Sequence, residues 1–377
     1  MGAGTVNFDL TEDEEMLKAL TERFVSDHYS HDTRRAFLAD ANGFSPRNWE
    51  LLGELGLIAA PFPEDAGGLG LDGTGISTVF EALGRGLVVE PLVENVVLAG
   101  RLFLKSAPEA LRGAWLDGLV SGTRRLALAH AEEGSRGVPL WLETRAETRG
   151  DTIVLTGSKP FCAAGGGADG FIVSARSNGA PNAVDGIELY LVPADAKGLS
   201  IRRWTLADGS IAVSLTLDGV TVPASHRLHG GLATLEDAEN VAALARCAEA
   251  VGIMSRLFDE TLDYLRTREQ FGMKLGKFQA LQHRMVAQYA ALEQCRALLI
   301  QAQVSWGTER FARNVQGARA FIAKASLDLG HEAIQFHGGM GVTDELSIGG
   351  AHKRLLVLSR WPESGEAALD RFAGLIN

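Results

Sequence analysis

DTIVLTG (151–157), GFIVSAR (170–176), GIELYLV (186–192) and SLTLDGVTV (214–222) are short apolar runs rich in β-branched side chains. Each is bounded by turn-forming residues, which is the pattern of strands joined by tight connections. They follow one another between about Thr123 and Ser225 with no helical period between them. This predicts an antiparallel sheet or small barrel, not the strand–helix alternation of a doubly wound nucleotide fold.

On either side of this region the pattern is helical. Thr11 and Glu14 have capping-box spacing, in which the hydroxyl and the carboxylate each satisfy a free N–H of the first turn. Ser45 followed by Pro46 opens a second helix ahead of WELLGELG. PFPEDAGGLGLDGTG (61–75) is dense in Gly and Pro and reads as a loop, after which STVFEALGRGLVVE (77–90) is helical again. Downstream, Thr234 and Asp237 read as a capping pair for a helix over 235–267, and two more helices are expected over 278–307 and 316–336. The chain therefore reads as α+β, with a helical domain over 1–122, a β-domain over 123–230 and a second helical domain over 231–377.

Composition narrows the function classes. Apolar residues make up 46% of the 377 and the formal charge is −11. That is the composition of a soluble globular chain without the broad basic face that nucleic acid requires. Cys162, Cys247 and Cys295 are far apart and odd in number, which forms neither a disulfide framework nor a metal-ligand spacing and fits a reducing cytoplasm. No uninterrupted apolar run reaches the roughly 18 residues of a membrane span, and the acidic start MGAGTVNFDLTEDEE lacks the charged-then-apolar pattern expected of a signal peptide. Gly165-Gly166-Gly167 lies between strands and does not open a helix, so it is not a Rossmann fingerprint.

Three further segments carry a resemblance. LGLIAAPFPEDAGGLGL (55–71), REQFGMKLGKFQ (268–279) and HEAIQFHGGMGVTDE (331–345) resemble, in order and separation, signature segments of the acyl-CoA dehydrogenase family. The CAEAVG (247–252) and TREQFG (267–272) stretches look like the small subunits of its bacterial two-subunit members. The resemblance implies an N-terminal helical domain, a middle antiparallel β-domain and a C-terminal four-helix bundle. It also implies a homo- or hetero-tetramer, an FAD held between β-domain and bundle across a subunit interface, and an electron-transfer flavoprotein or similar acceptor.

Residue by residue, it places Arg268 on the FAD pyrophosphate, where a guanidinium makes two charge-assisted hydrogen bonds. The alternative is a solvated arginine at a helix end. Phe271, Leu275 and Phe278 would flank the nucleotide, or simply pack. Gln335, Gly338 and Gly339 would approach a neighbouring subunit's cofactor, glycine allowing it because it has no Cβ. LALAHAEEGSR (126–136) stands where the family has a flavin-contacting Thr-Glu-Pro segment, which implicates Leu128, His130 and Ala131. Ala131 replaces the Thr and Glu133 the Pro. In KPFCAAG (159–165), Phe161 stands at a Trp position and Ala163 at a Thr position. Two hydroxyls expected near the flavin are therefore absent.

The family reaction is α,β-dehydrogenation of an acyl-CoA thioester. A carboxylate takes the α-proton while the β-hydrogen leaves as hydride. Counting from Gly338 puts Pro362 at the usual base position, with Glu363 one residue later. Counting back from Phe271 and Gly272 puts Ala242 at a minority position, with Glu239 three residues before it on the same helical face. Glu363 and Glu239 are the candidate bases. Their alternatives are a surface carboxylate and a first-turn glutamate. Arg246 and Glu249 continue the stripe of Glu239 and Ala242, where the family lines its acyl-tail pocket. A charged pair there disfavours a fatty tail, so the pocket is closed or takes a polar acyl group, unless the pair is a plain i,i+3 salt bridge. Three readings follow: a self-sufficient acyl-CoA dehydrogenase, a non-catalytic partner subunit, or a flavin oxidase or oxygenase on the same fold.

Overall fold

A computed structural model describes residues 10–135 and 140–376. The order is α1 Glu12–His28, α2 His31–Leu38, α3 Pro46–Glu54 and α4 Gly73–Gly86, then a π-helical stretch Leu92–Gly100 running into α5 Arg101–Ser106, and α6 Glu109–Ser121. The strands are β1 Leu126–Ala129, β2 Arg145–Arg149, β3 Thr152–Ala163, β4 Gly170–Arg176, β5 Ile187–Pro193, β6 Leu199–Thr205, β7 Ile211–Pro223 and β8 Arg227–Leu228. Then come α7 Gly231–Thr267, the short β9 Glu269–Gln270 and β10 Met273–Lys274, α8 Gln279–Gln303, α9 Phe311–His337, α10 Ser347–Arg360 and α11 Gly365–Gly374.

The expected starts hold at α1 and α3. The Glu14 N–H donates to Thr11 Oγ1 while the Thr11 N–H donates to Glu14 Oε2 at 2.8 Å. Ser45 caps α3 ahead of Pro46. At α7 the expectation is corrected. The helix begins at Gly231, so Thr234 and Asp237 lie inside it and are not its cap. Gly230 and Gly231 turn the chain into the helix with φ of 86° and 53°, a conformation glycine adopts without strain. Asp237 instead pairs with Lys105 at 2.6 Å.

Contacts divide the chain into two units. One joins the segments Arg35–Leu71 and Val89–Ala242, and the other joins Asp72–Val88 and the chain from Ala243 with the N-terminal segment up to Arg34. The boundaries expected at 122 and 230 both fall inside the first. Its centre is a sheet of order β6-β7-β3-β2-β4-β5-β8, with β1 beside β4. Most pairings are antiparallel, but β1 and β2 both run parallel to β4. Leu155, Phe171, Val173, Val213 and Leu215 belong to its core. Arg176 is fully buried, and its guanidinium donates to the carbonyls of Leu140, Leu142, Pro181, Ala183 and Asp185.

The second unit is helical. Two glycines let α4 and α7 approach closely. A Cβ at Gly84 would stand 2.2 Å from the Glu249 carbonyl oxygen, and one at Gly252 would stand 2.1 Å from that of Glu81. Backbone contact at such distances excludes any side chain. Among the described residues, no helix is long and apolar enough to cross a membrane.

Candidate functional site

In the helical unit, the ends of α7 and α9 meet. Tyr264, one turn before the end of α7, stacks on His337, the last residue of α9, with ring centroids 4.3 Å apart. His337 is buried and its Nδ1 lies 2.8 Å from the Ala333 carbonyl, so it serves packing. Leu265, Met285 and Phe336 form a small core here, against which Leu275 packs. This contact brings together the segments around Arg268 and around Gly338.

Arg268 directly follows α7 and is exposed. Its N–H donates to the Tyr264 carbonyl at 2.8 Å and its own carbonyl accepts from Leu275 at 2.9 Å. Between them β9 and β10 pair around a two-residue turn, Phe271 at φ 55° and Gly272 at φ 79°. Such a turn needs positive φ at both central residues. A glycine meets that freely, whereas the phenylalanine bears about 1–2 kcal/mol of strain. Phe271 is also 88% exposed, touching Phe278 edge-on at 6.2 Å. Strain and exposure together hold a large apolar ring out at a hairpin tip.

On α9, Gln335 is exposed, and its carbonyl accepts from the Gly338 N–H. Gly338 has φ 57° and ψ −137°, and a Cβ built on it or on Gly339 meets nothing within 4 Å. The surface at the helix ends thus offers a guanidinium, an exposed aromatic ring and bare backbone. That donor set fits the diphosphate and aromatic ring of a nucleotide cofactor.

In the sheet unit, β1 and β3 carry the other expected contacts. Leu128 is buried on β1, His130 and Ala131 follow it half-buried, and Phe161 and Ala163 lie half-buried toward the end of β3. Phe161 meets Trp204 edge-on at 5.3 Å. Lys159 links the two strands, because its Nζ donates to the His130 carbonyl at 3.2 Å. Lys159 and Glu132 are a buried ion pair at 2.7 Å. Burial pushes the Lys159 ammonium down to about 8, against the pull of Glu132. Burial alone would raise Glu132, but Lys159 and the surrounding N–H donors bring it below the ordinary carboxylate range. Sequence reading missed this pair. Its one signal is a lysine that opens an otherwise apolar strand end, KPFCAAG.

Comparison with known proteins identifies the family and the fold. Residues 11–123 match the acyl-CoA dehydrogenase N-terminal domain and residues 229–366 the C-terminal domain. A solved variant of the Tcur3481–Tcur3483 steroid ACAD is 31% identical with a TM-score of 0.86, the match covering 97% of this chain and 98% of that one. The chain belongs to the acyl-CoA dehydrogenase family. Acyl-CoA dehydrogenase FadE27 of Mycobacterium tuberculosis is 28% identical over 94% of this chain and 98% of its own length. The ChsE4–ChsE5 complex of the same organism is similar at 26% identity and a TM-score of 0.89, covering 98% of this chain and 99% of that one.

For an acyl-CoA dehydrogenase the carboxylates matter most. Glu363 follows α10 in the turn Trp361-Pro362-Glu363 and is buried. Arg371 on α11 holds its Oε2 at 2.9 Å. Buried Arg319 donates to the carbonyls of Trp361 and Glu363, both at 2.7 Å, which fixes the turn from the other side. Ser364 then caps α11. Glu239 sits half-buried on α7, three residues before the fully buried Ala242. Arg246 is 1% exposed. Arg354 engages both oxygens of Glu249, at 2.6 and 3.0 Å. That partner, 105 residues away, is invisible in the helix spacing that suggested Arg246 for Glu249.

Proposed function

We propose that this chain is one subunit of an FAD-dependent acyl-CoA dehydrogenase whose α-proton base comes from a partner chain. One observation carries the reading. The two base positions hold Pro362 and Ala242, and the neighbouring Glu363 is buried against Arg371 in a turn that Arg319 fixes. A base must reach the α-carbon with oxygens ready to take a proton. Glu363 has one oxygen paired with an arginine, in a turn whose carbonyls Arg319 holds.

The nucleotide-binding features are kept. Arg268 would pair with the pyrophosphate, with Phe271, Leu275 and Phe278 against the nucleotide and Gln335, Gly338 and Gly339 beside it. Leu128, His130, Ala131, Phe161 and Ala163 would line the ring. FAD, when bound, supplies the acceptor for the β-hydride. Arg246 and Glu249 would close the acyl-tail pocket of this subunit or restrict it to a polar acyl group. A partner is further supported by relatives whose names join two components, the Tcur3481–Tcur3483 steroid ACAD and the ChsE4–ChsE5 complex. We place the assembly in the cytoplasm as a heterotetramer that passes its electrons to an electron-transfer flavoprotein or similar acceptor.

The test is a visible spectrum of the chain purified alone and after co-expression with a candidate partner. Anaerobic addition of acyl-CoAs follows, a steroid acyl thioester among them. Flavin bleaching only in the co-expressed assembly is the expected result. Bleaching by the chain alone would overturn the reading and return attention to Glu239.

A further inference from the structure

Glu132, Lys159, Ser174 and His130 form one buried chain of hydrogen bonds with a defined direction. An ammonium has three N–H donors and no acceptor. Lys159 Nζ places all three, on Glu132 Oε1 at 2.7 Å, Ser174 Oγ at 3.1 Å and the His130 carbonyl at 3.2 Å. Glu132 is held in turn by the backbone N–H groups of Glu143 and Thr144. Ser174 is fully buried, and beyond Lys159 its hydroxyl has one side-chain neighbour among the described residues, His130 Nδ1 at 2.8 Å. Because Ser174 Oγ accepts from the ammonium, its hydrogen is directed to His130 Nδ1. That nitrogen is then the acceptor, and the ring proton sits on Nε2. The opposite arrangement, Nδ1–H toward Ser174, leaves a buried hydroxyl hydrogen without an acceptor and sets a second donor against an oxygen that already faces a cation.

We propose that Glu132, Lys159 and Ser174 are positioning residues that lock His130 as its Nε2–H tautomer, and that His130 in this form is the side-chain donor to the flavin ring which Ala131 and Ala163 no longer provide. The first half stands on geometry within the sheet unit alone. The second rests on the proposed FAD site. His130 immediately precedes Ala131, so a donor is restored one residue from where a hydroxyl is missing. A fixed tautomer matters because a histidine free to choose would present an acceptor at Nε2 part of the time.

Histidine-selective ¹⁵N NMR on the flavin-free chain tests the lock, with His130 assigned through His130→Gln. The expected signature is a protonated Nε2 and a bare Nδ1 at neutral pH, shifting to a tautomer mixture in Ser174→Ala. A protonated Nδ1 in the wild type, or an unchanged tautomer in Ser174→Ala, overturns the lock whatever happens to the flavin. FAD titration of the co-expressed assembly, stripped of flavin, tests the second half. His130→Ala should weaken binding about tenfold, as expected for one lost hydrogen bond. His130→Gln, which keeps an N–H near the Nε2 position, should restore most of it. Equal affinity for wild type and His130→Ala overturns the donor role. An assembly in which no variant binds FAD overturns it together with the proposed function, while the tautomer result stands on its own.

Discussion

Replacing Glu363 by Gln separates a structural carboxylate from a catalytic one. The Glu363 side chain is 4% exposed and that of Arg371 34%. Removing one charge from a fully buried pair costs about 3–5 kcal/mol, whereas an exposed pair is worth about 0–1 kcal/mol. Here one partner is buried, the other is one-third in water, and the amide of Gln keeps a polar oxygen beside Arg371 Nε. The expected loss is therefore about 1–2 kcal/mol. The turn itself should stay in place, because Arg319 holds its carbonyls. Loss of a general base would slow the reaction by roughly 10²–10⁴-fold instead. The two outcomes are read by urea unfolding and by the rate of acyl-CoA-dependent flavin bleaching in the co-expressed assembly. A lowered unfolding midpoint with bleaching within about threefold of wild type is expected if the pair is structural. A wild-type midpoint with bleaching slowed 100-fold or more would refute the reasoning and make Glu363 the base.

Gly84→Ala and Gly252→Ala should each destabilise by about 2 kcal/mol despite better helix propensity, because the added methyl meets backbone oxygen. Gly113→Ala, in the open on α6, should stabilise by about 0.5–1 kcal/mol in the same urea titration. Phe271→Asn, which suits left-handed backbone, should leave stability equal or higher while weakening FAD binding about tenfold; unchanged FAD affinity would remove Phe271 from the site. Arg246→Leu should raise the affinity of the assembly for aliphatic acyl-CoAs, and no change for any acyl-CoA would end its role in the pocket. Burial pushes the Lys159 ammonium down to about 8 in the folded chain, against 10.5 for a lysine in water. The unfolded chain thus binds more protons between those values, and this group's contribution to stability rises as pH climbs from about 8 to 10.5. Unfolding midpoints across that window should show the rise in wild type and a flatter profile in Lys159→Met.

What could be read from the sequence was local. Thr11 with Glu14 and Ser45 with Pro46 act within a single helical turn, and both caps form as spaced. The four strand runs fall within β3, β4, β5 and β7 apart from a residue or so at their ends, because period and β-branching are properties of short windows. The parallel pairing of β1 and β2 with β4 depends on which strand edges remain open after folding, and no window contains that. The start of α7 was misread because Asp237 looked like a capping partner, while Lys105 takes it from far along the chain. The same limit governs the site. REQFGMKLGKFQ was recognisable as a continuous segment, but the strain at Phe271 shows only in the backbone of the hairpin tip. The hydrogen-bond chain from Glu132 to His130 draws on β3 and β4 and on the residues after β1, so nothing in their spacing announces it.

The carboxylates give the strongest argument about chemistry. Glu132, Glu249 and Glu363 are all buried, and each faces a cation, Lys159 at 2.7 Å, Arg354 at 2.6 Å and Arg371 at 2.9 Å. A carboxylate that removes an α-proton must turn a lone pair toward carbon and end the step neutral. One whose oxygen already pairs with an ammonium or guanidinium has to give up that contact first, and would then leave the cation without its counter-charge. Low accessibility, which shields a catalytic base from water, is therefore no sign of one in this chain. At these three residues it marks ion pairs that fix strands, helices and a turn. The groups left at the surface of the helix ends, Arg268, Phe271 and the backbone of Gly338 and Gly339, are suited to holding a nucleotide and have no means of accepting a proton. On the proposed function, a subunit built this way would keep the binding half of a dehydrogenase and take its proton acceptor from another chain.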